Sequence, residues 1–225
     1  MRKLIEGIVQ FRETQLAQYA AHFRDLAEGQ QPDALFITCS DSRVVPNLLA
    51  STEPGDLFTM RNVGNLVPPA TAEGVSTGDV SEASAIEYAV LVLEVPSIVI
   101  CGHSQCGAMQ TLLTGKRLAQ APNLDRWLHH AAAAAARLKR EGGLNGTLAP
   151  DDQLSQLNVL VQLEHLMTYS IVRERVIAGS LHLAGWWFDI ASGAMWSYEP
   201  DRRSFAPIER ALGAELMERF GERSA

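Results

Sequence analysis

The sequence predicts an α/β fold: a central, mostly parallel β-sheet flanked by helices. Three observations carry that prediction. Ala34–Thr38 (ALFIT), Leu57–Met60 (LFTM) and Ser97–Cys101 (SIVIC) are short runs that stay apolar instead of alternating, as strands covered on both faces do. Segments of helical periodicity separate them, and strand–helix alternation favours a parallel sheet. The chain has 225 residues, 47% hydrophobic and 20% charged, enough to bury a sizeable core in one domain.

The elements follow in order. Residues 1–28 place Leu4, Ile5, Ile8, Phe11, Leu16, Tyr19, Phe23 and Leu26 near a helical period, and Gly29 is a stop signal, so one helix is expected. Residues 74–94 read as a helix carrying Ile86, Ala89, Val90 and Leu93, and another helix begins near Cys106. The Ala-rich stretch 123–141 is expected to be helical with Asn123 as N-cap and Gly142–Gly143 as terminator. Residues 151–178 extend as helix behind a cap at Asp151 or Asp152. Leu181–Phe188 and Ala194–Tyr198 form a hairpin turning at Ser192–Gly193, and 207–220 close the chain as a helix. No repeat or linker divides the sequence, so 1–225 is read as one domain, with 1–30 as its N-terminal helical segment and 31–225 as the α/β core.

Composition narrows the partners. The formal charge is −7 with no basic stripe, which argues against nucleic acid. No run reaches the roughly 18 apolar residues of a membrane span. Glu6, Arg12 and Glu13 interrupt what a signal peptide keeps apolar, so the segment is read as a retained amphipathic helix and the protein as cytoplasmic. Three irregularly spaced cysteines, Cys39, Cys101 and Cys106, do not form a disulfide framework, and in a reducing compartment thiols near a His point to metal or catalysis.

In parallel sheets, sites gather at the carboxyl ends of the strands. Cys39 follows one predicted strand, and His103 and Cys106 follow another. Two thiolates and an imidazole suit zinc, and three ligands rather than four leave a position for water, as catalytic sites do. A His-x-x-Cys pair alone is a weak signal, and Cys101, inside its strand, reads as a buried hydrophobe. Beside Cys39, Asp41 and Arg43 form a local charged pair. Either it braces a turn, or Arg43 holds Asp41 ionised and aims it at a water on the metal. A third possibility is Asp41 binding the metal itself, an off state.

Residues Cys39–Val44 (CSDSRV) and Gly102–Gly107 (GHSQCG) together resemble the two zinc-site signatures of the β-class carbonic anhydrases. The similarity continues through Pro54–Phe58, Arg61–Asn65, Ile86–Tyr88 and His182–Asp189 and covers nearly the whole chain. The resemblance implies reversible hydration of carbon dioxide to bicarbonate by a zinc-bound hydroxide. One Zn2+ per subunit would be held by Cys39, His103 and Cys106, with Asp41 and Arg43 as catalytic dyad. It also implies a substrate pocket of Gln30, Phe58, Val63 and Tyr88 with the Gly107 N–H, in which Gln30 and Tyr88 come from the second subunit of a homodimer or a multiple of dimers. The N-terminal helix would pack on that partner. Phe36 stands three residues before Cys39, where bicarbonate-regulated members carry Trp, so a permanently open metal is expected. Hydrolysis of carbonyl sulfide or carbon disulfide on the same scaffold, and a metal-closed regulatory protein, are the competing readings. A dinucleotide site is disfavoured because no Gly-x-Gly-x-x-Gly follows a strand.

Overall fold

The computed structural model describes residues 1–115 and 119–221, and the chain divides into two compact units, Met1–Gln31 and Pro32–Ala225. The first unit holds α1 (Arg2–Thr14) and α2 (Leu16–Leu26), not the single helix expected. The break at Gln15 brings Phe11 onto Tyr19 (ring centroids 6.2 Å apart, 28° between planes), and Tyr19 in turn meets Phe23 at 5.9 Å. In one straight helix, residues eight apart lie about 12 Å apart along the axis. Leu4, Ile5, Ile8 and Val9 of α1 remain exposed.

The second unit runs β1 (Ala34–Cys39), α3 (Pro46–Ala50), β2 (Leu57–Asn62), α4 (Val80–Glu87), β3 (Ser97–His103), α5 (Gly107–Thr114), α6 (Pro122–Trp127), α7 (Ala132–Glu141), α8 (Pro150–Leu166), α9 (Ser170–Ile177), β4 (His182–Asp189), β5 (Ala194–Glu199), β6 (Ser204–Pro207) and α10 (Arg210–Gly221). One six-stranded sheet has the order β2-β1-β3-β4-β5-β6. The first four strands of that order are parallel, and β5 and β6 are antiparallel additions. Register places Cys39 opposite Asn62, Thr38 opposite Cys101 and His103 opposite Phe188, so the ends of β1 and β3 lie side by side.

Both faces of the sheet are covered, which explains the unbroken apolar runs. Leu35, Ile37, Ile98 and Ile100 join Ile86, Val159 and Leu160 in one cluster, while Phe36, Val99 and Cys101 join Val44 and Phe188 in another. Each such buried aliphatic side chain contributes about 1.5–3 kcal/mol. Helix α8 lies close on the sheet because glycines face it. A Cβ on Gly102 would come within 2.8 Å of Val159 Cγ2, and one on Gly185 within 3.0 Å of Val159 Cγ1.

Several boundaries differ from expectation for tertiary reasons. The helix foreseen from residue 74 starts at Val80, because Asp79 caps it by accepting the Ser81 N–H (2.8 Å) and Thr71 closes a turn onto Val75. It ends in one wide π-helical turn, Tyr88–Val92. Asn123 is not a cap: Ala121 is, with Pro122 opening α6, and a 3₁₀ turn at Leu128–Ala131 splits the Ala-rich stretch. Ala149 rather than either aspartate caps α8, whose first turn holds Asp151 and Asp152. The expected 151–178 helix breaks before α9, where the Tyr169 hydroxyl donates to the Pro68 carbonyl at 2.7 Å. Strand β6 was not foreseen. Among the described residues no helix is long and apolar enough to cross a membrane.

Candidate metal centre

Cys39 is the last residue of β1 and His103 the last of the adjacent β3. Cys106 follows after a tight turn and is the N-cap residue of α5. The turn needs a left-handed residue, and Gln105 supplies it at φ +54°. The Asp152 carboxylate holds that conformation by accepting the Gln105 N–H at 2.6 Å. All three side chains are buried, and their donor atoms lie within 4.8 Å of one another.

These residues fit a metal ion on their own chemistry. His103 Nδ1 sits 2.8 Å from the Ser104 carbonyl, so that nitrogen donates in the neutral tautomer and Nε2 keeps its lone pair. Nε2 is buried and has no hydrogen-bond partner, which is costly unless something else uses it. The His103 carbonyl is itself tied to the Ser155 hydroxyl (2.8 Å), which receives the Trp187 indole N–H (3.2 Å).

The sulfurs are arranged to carry charge. Hydrogen bonding from Cys106 brings the Cys39 thiol down to about 4 against the cost of burial, helped by His103 and the Gly64 N–H. Cys106 is driven the other way, chiefly by its hydrogen bond to Cys39 and by burial, although the Met109 and Ala108 N–H groups at the start of α5 favour its thiolate. The pair thus favours one shared negative charge, and a dication would remove the obstacle to a second. For His103, burial opposes the protonated form, but the adjoining Cys39 sulfur outweighs it and the net shift is upward.

Asp41 and Arg43 pair through two parallel contacts, Nε to Oδ1 at 2.9 Å and Nη2 to Oδ2 at 2.8 Å, and the Arg43 N–H adds a third at 3.0 Å. Those bonds hold the Asp41 carboxyl well below the usual carboxylate range. Asp41 Oδ2 lies 4.0 Å from His103 Nε2. Gln105 steadies the fork from the other side, its carbonyl accepting Arg43 Nη2 at 3.2 Å. Arg61, missed as a site residue, donates to the carbonyls of Cys39 (3.2 Å) and Asp41 (2.8 Å).

The remaining candidates divide. Gly107 directly follows Cys106, and Val63 lies in the loop whose Gly64 N–H points at Cys39 Sγ (3.4 Å). Ser40 and Val63 line a cavity of about 960 Å³ with Asn62, Glu82, Trp127 and His130. Phe58 and Tyr88 pack on each other (5.7 Å) away from the three candidate ligands of their own chain. Phe58 pairs with Leu35, four residues before Cys39, or about 13 Å along the strand. Gln30 belongs to the first unit.

The family model for carbonic anhydrase matches residues 34–195, from the first residue of β1 into β5, and so includes all three ligand residues. A carbonic anhydrase of Pseudomonas aeruginosa is 42% identical over 220 residues, covering 96% of this chain and 97% of its own. The chain belongs to the β class of carbonic anhydrases. The β-carbonic anhydrase CcaA superposes with a TM-score of 0.85 at 36% identity over 93% of this chain and 92% of its own. A carbonic anhydrase of Synechococcus elongatus is 43% identical over 198 residues, 86% of this chain and 70% of its own. A tetrameric β-carbonic anhydrase from Sordaria macrospora has a TM-score of 0.75 at 30% identity, covering 87% of this chain and 95% of its own. Among carbonic anhydrases of this class, then, the chain has its sheet, its two cysteines and its histidine in one place.

Proposed function

We propose that the chain catalyses the reversible hydration of carbon dioxide to bicarbonate and a proton, with one zinc ion held by Cys39, His103 and Cys106 and with Asp41–Arg43 as its catalytic dyad. The observation that carries the reading is the orphaned, buried His103 Nε2 grouped with two cysteine sulfurs, with a locked carboxylate 4.0 Å away. When bound, zinc supplies Lewis acidity that lowers the pKa of a water from 15.7 towards about 7, a magnitude taken from a three-histidine carbonic anhydrase.

The protein's part is positioning. Arg43 occupies both Asp41 oxygens, which keeps the carboxylate ionised and would leave it as a hydrogen-bond acceptor beside a bound metal instead of a fourth ligand. To the Gly107 N–H we assign the substrate oxygen on which charge develops. Carbon dioxide offers little to grip, so Val63 supplies an apolar wall and orientation does the rest.

A second copy completes the pocket. Phe58 and Tyr88 travel together, Tyr88 is 44% exposed, and Leu91 and Val92 beside it are exposed too. We assign this pair, with Gln30, to the neighbouring active site of a homodimer or larger multiple, and the exposed apolar residues of α1 to the contact between copies. Three free cysteines among the described residues agree with a cytoplasmic setting.

Stopped-flow hydration of carbon dioxide tests the reading. Activity should disappear on chelation and return with zinc. A zinc-loaded protein inactive at every pH would rule the proposal out and make carbonyl sulfide the next substrate to try.

A further inference from the structure

The peptide between Val63 and Gly64 is held from both sides. Its carbonyl accepts the Trp127 indole N–H at 2.8 Å, and its N–H points at Cys39 Sγ at 3.4 Å. In a trans peptide these two groups point in opposite directions, so a donor on the carbonyl fixes where the N–H aims. The neighbouring clamps act elsewhere. Asn62 binds the backbone of Leu66 (2.7 Å to N, 2.8 Å to O), and Asn158 donates to the Gly64 carbonyl at 3.0 Å.

Without the indole this peptide has an easy way to turn over. A peptide flip changes ψ of one residue and φ of the next, and the next residue is glycine, free to take either sign. Gly64 sits at φ +85°, and a Cβ there would come within 3.1 Å of Ala108 Cβ, so any other residue would be strained. Val63 is 42% exposed, leaving water to take over its carbonyl.

We propose that Trp127 is a positioning residue for the metal: by holding the Val63 carbonyl it keeps the Gly64 N–H on Cys39 Sγ and so limits the charge that sulfur donates. The inference rests on the reading of Cys39 as a metal ligand. A hydrogen bond to a ligating thiolate withdraws electron density, leaving the metal more acidic, and such outer contacts are worth roughly 10- to 100-fold in affinity or activity. Trp127 is not one of the three candidate ligands and acts on Cys39 through one peptide.

Cobalt substitution reads this directly, because thiolate-to-cobalt charge-transfer absorption reports sulfur electron density. The comparison is between the parent, Trp127→Phe, and the protein carrying the isosteric sulfur analogue of tryptophan (3-benzothienylalanine) at position 127. The analogue keeps the shape and lacks the N–H, so packing damage is separated from loss of the donor. Both changes should move the band to lower energy, and with zinc the midpoint of kcat/KM against pH should move alkaline. A band unmoved in the analogue-bearing protein overturns the role of Trp127, whatever Trp127→Phe or the activity shows. No thiolate band in the parent overturns the metal reading itself, and this inference with it.

Discussion

Cys39 and Cys101 lie on neighbouring strands, one residue apart in register, and both are buried, yet they are different chemical objects. Cys101 faces Phe36, Val99 and Phe188, and burial pushes its thiol up to about 12. Cys39 sits at the strand end, where Cys106, His103 and the Gly64 N–H bring its thiol down to about 4. Burial on its own makes a cysteine a hydrophobe. Burial among donors makes it a ligand.

The strongest way to break that contrast is Cys106→Ser. It should empty the site of zinc and cost more activity than the roughly 100-fold typical of outer contacts, as metal analysis and turnover will show. Full zinc content would mean that the Cys106 sulfur is not needed to hold the metal. Next comes Asp41→Ala, expected to leave zinc in place while lowering turnover by about 100-fold. Unchanged turnover would reduce the Asp41–Arg43 pair to a brace for its turn.

Much of this contrast was readable before any coordinates. Cys39, His103 and Cys106 stand out because their side chains carry the chemistry themselves, and the apolar runs of β1 and β3 point both strand ends the same way. Gln105, Asp152 and Trp127 were not legible, because their roles depend on which backbone atoms the fold brings to them. Trp127 meets a carbonyl 64 residues earlier in the chain. The same cause hid the breaks at Gln15 and Tyr169, which long-range and cross-helix contacts of aromatic rings accompany. The four-residue β6 is shorter than any periodicity can show. Phe58 and Tyr88 were named from the resemblance; the register sets Phe58 back from Cys39 along the strands, and Tyr88 packs on Phe58.

The other side of the contrast is gentler to probe. Cys101→Ala should cost about 1 kcal/mol of stability for the lost packing and leave zinc content and turnover within twofold. Loss of zinc there would extend the site across the sheet. The smallest effect expected is at Glu82, which is buried with Oε2 unpartnered, and whose carboxyl burial pushes up, with Asp79 adding to the shift. A raised folded pKa means its contribution to stability is whole below the ordinary carboxyl value of 4.5 and is lost as pH rises through the folded value. Glu82→Gln should therefore melt slightly above the parent at mildly alkaline pH, and the gap should close as pH falls towards 4.5. A gap that widens in acid would show that the carboxylate is stabilising, not tolerated.

The central claim is that this one cluster of two cysteines and a histidine turns a bound metal on carbon dioxide. Oxygen-18 exchange between labelled carbon dioxide and water, followed by mass spectrometry at chemical equilibrium, tests it most directly. Label should be lost rapidly with the zinc-loaded chain and no faster than background with the chelated chain or with zinc-free Cys106→Ser. Label that persists with one zinc per chain in place would contradict it.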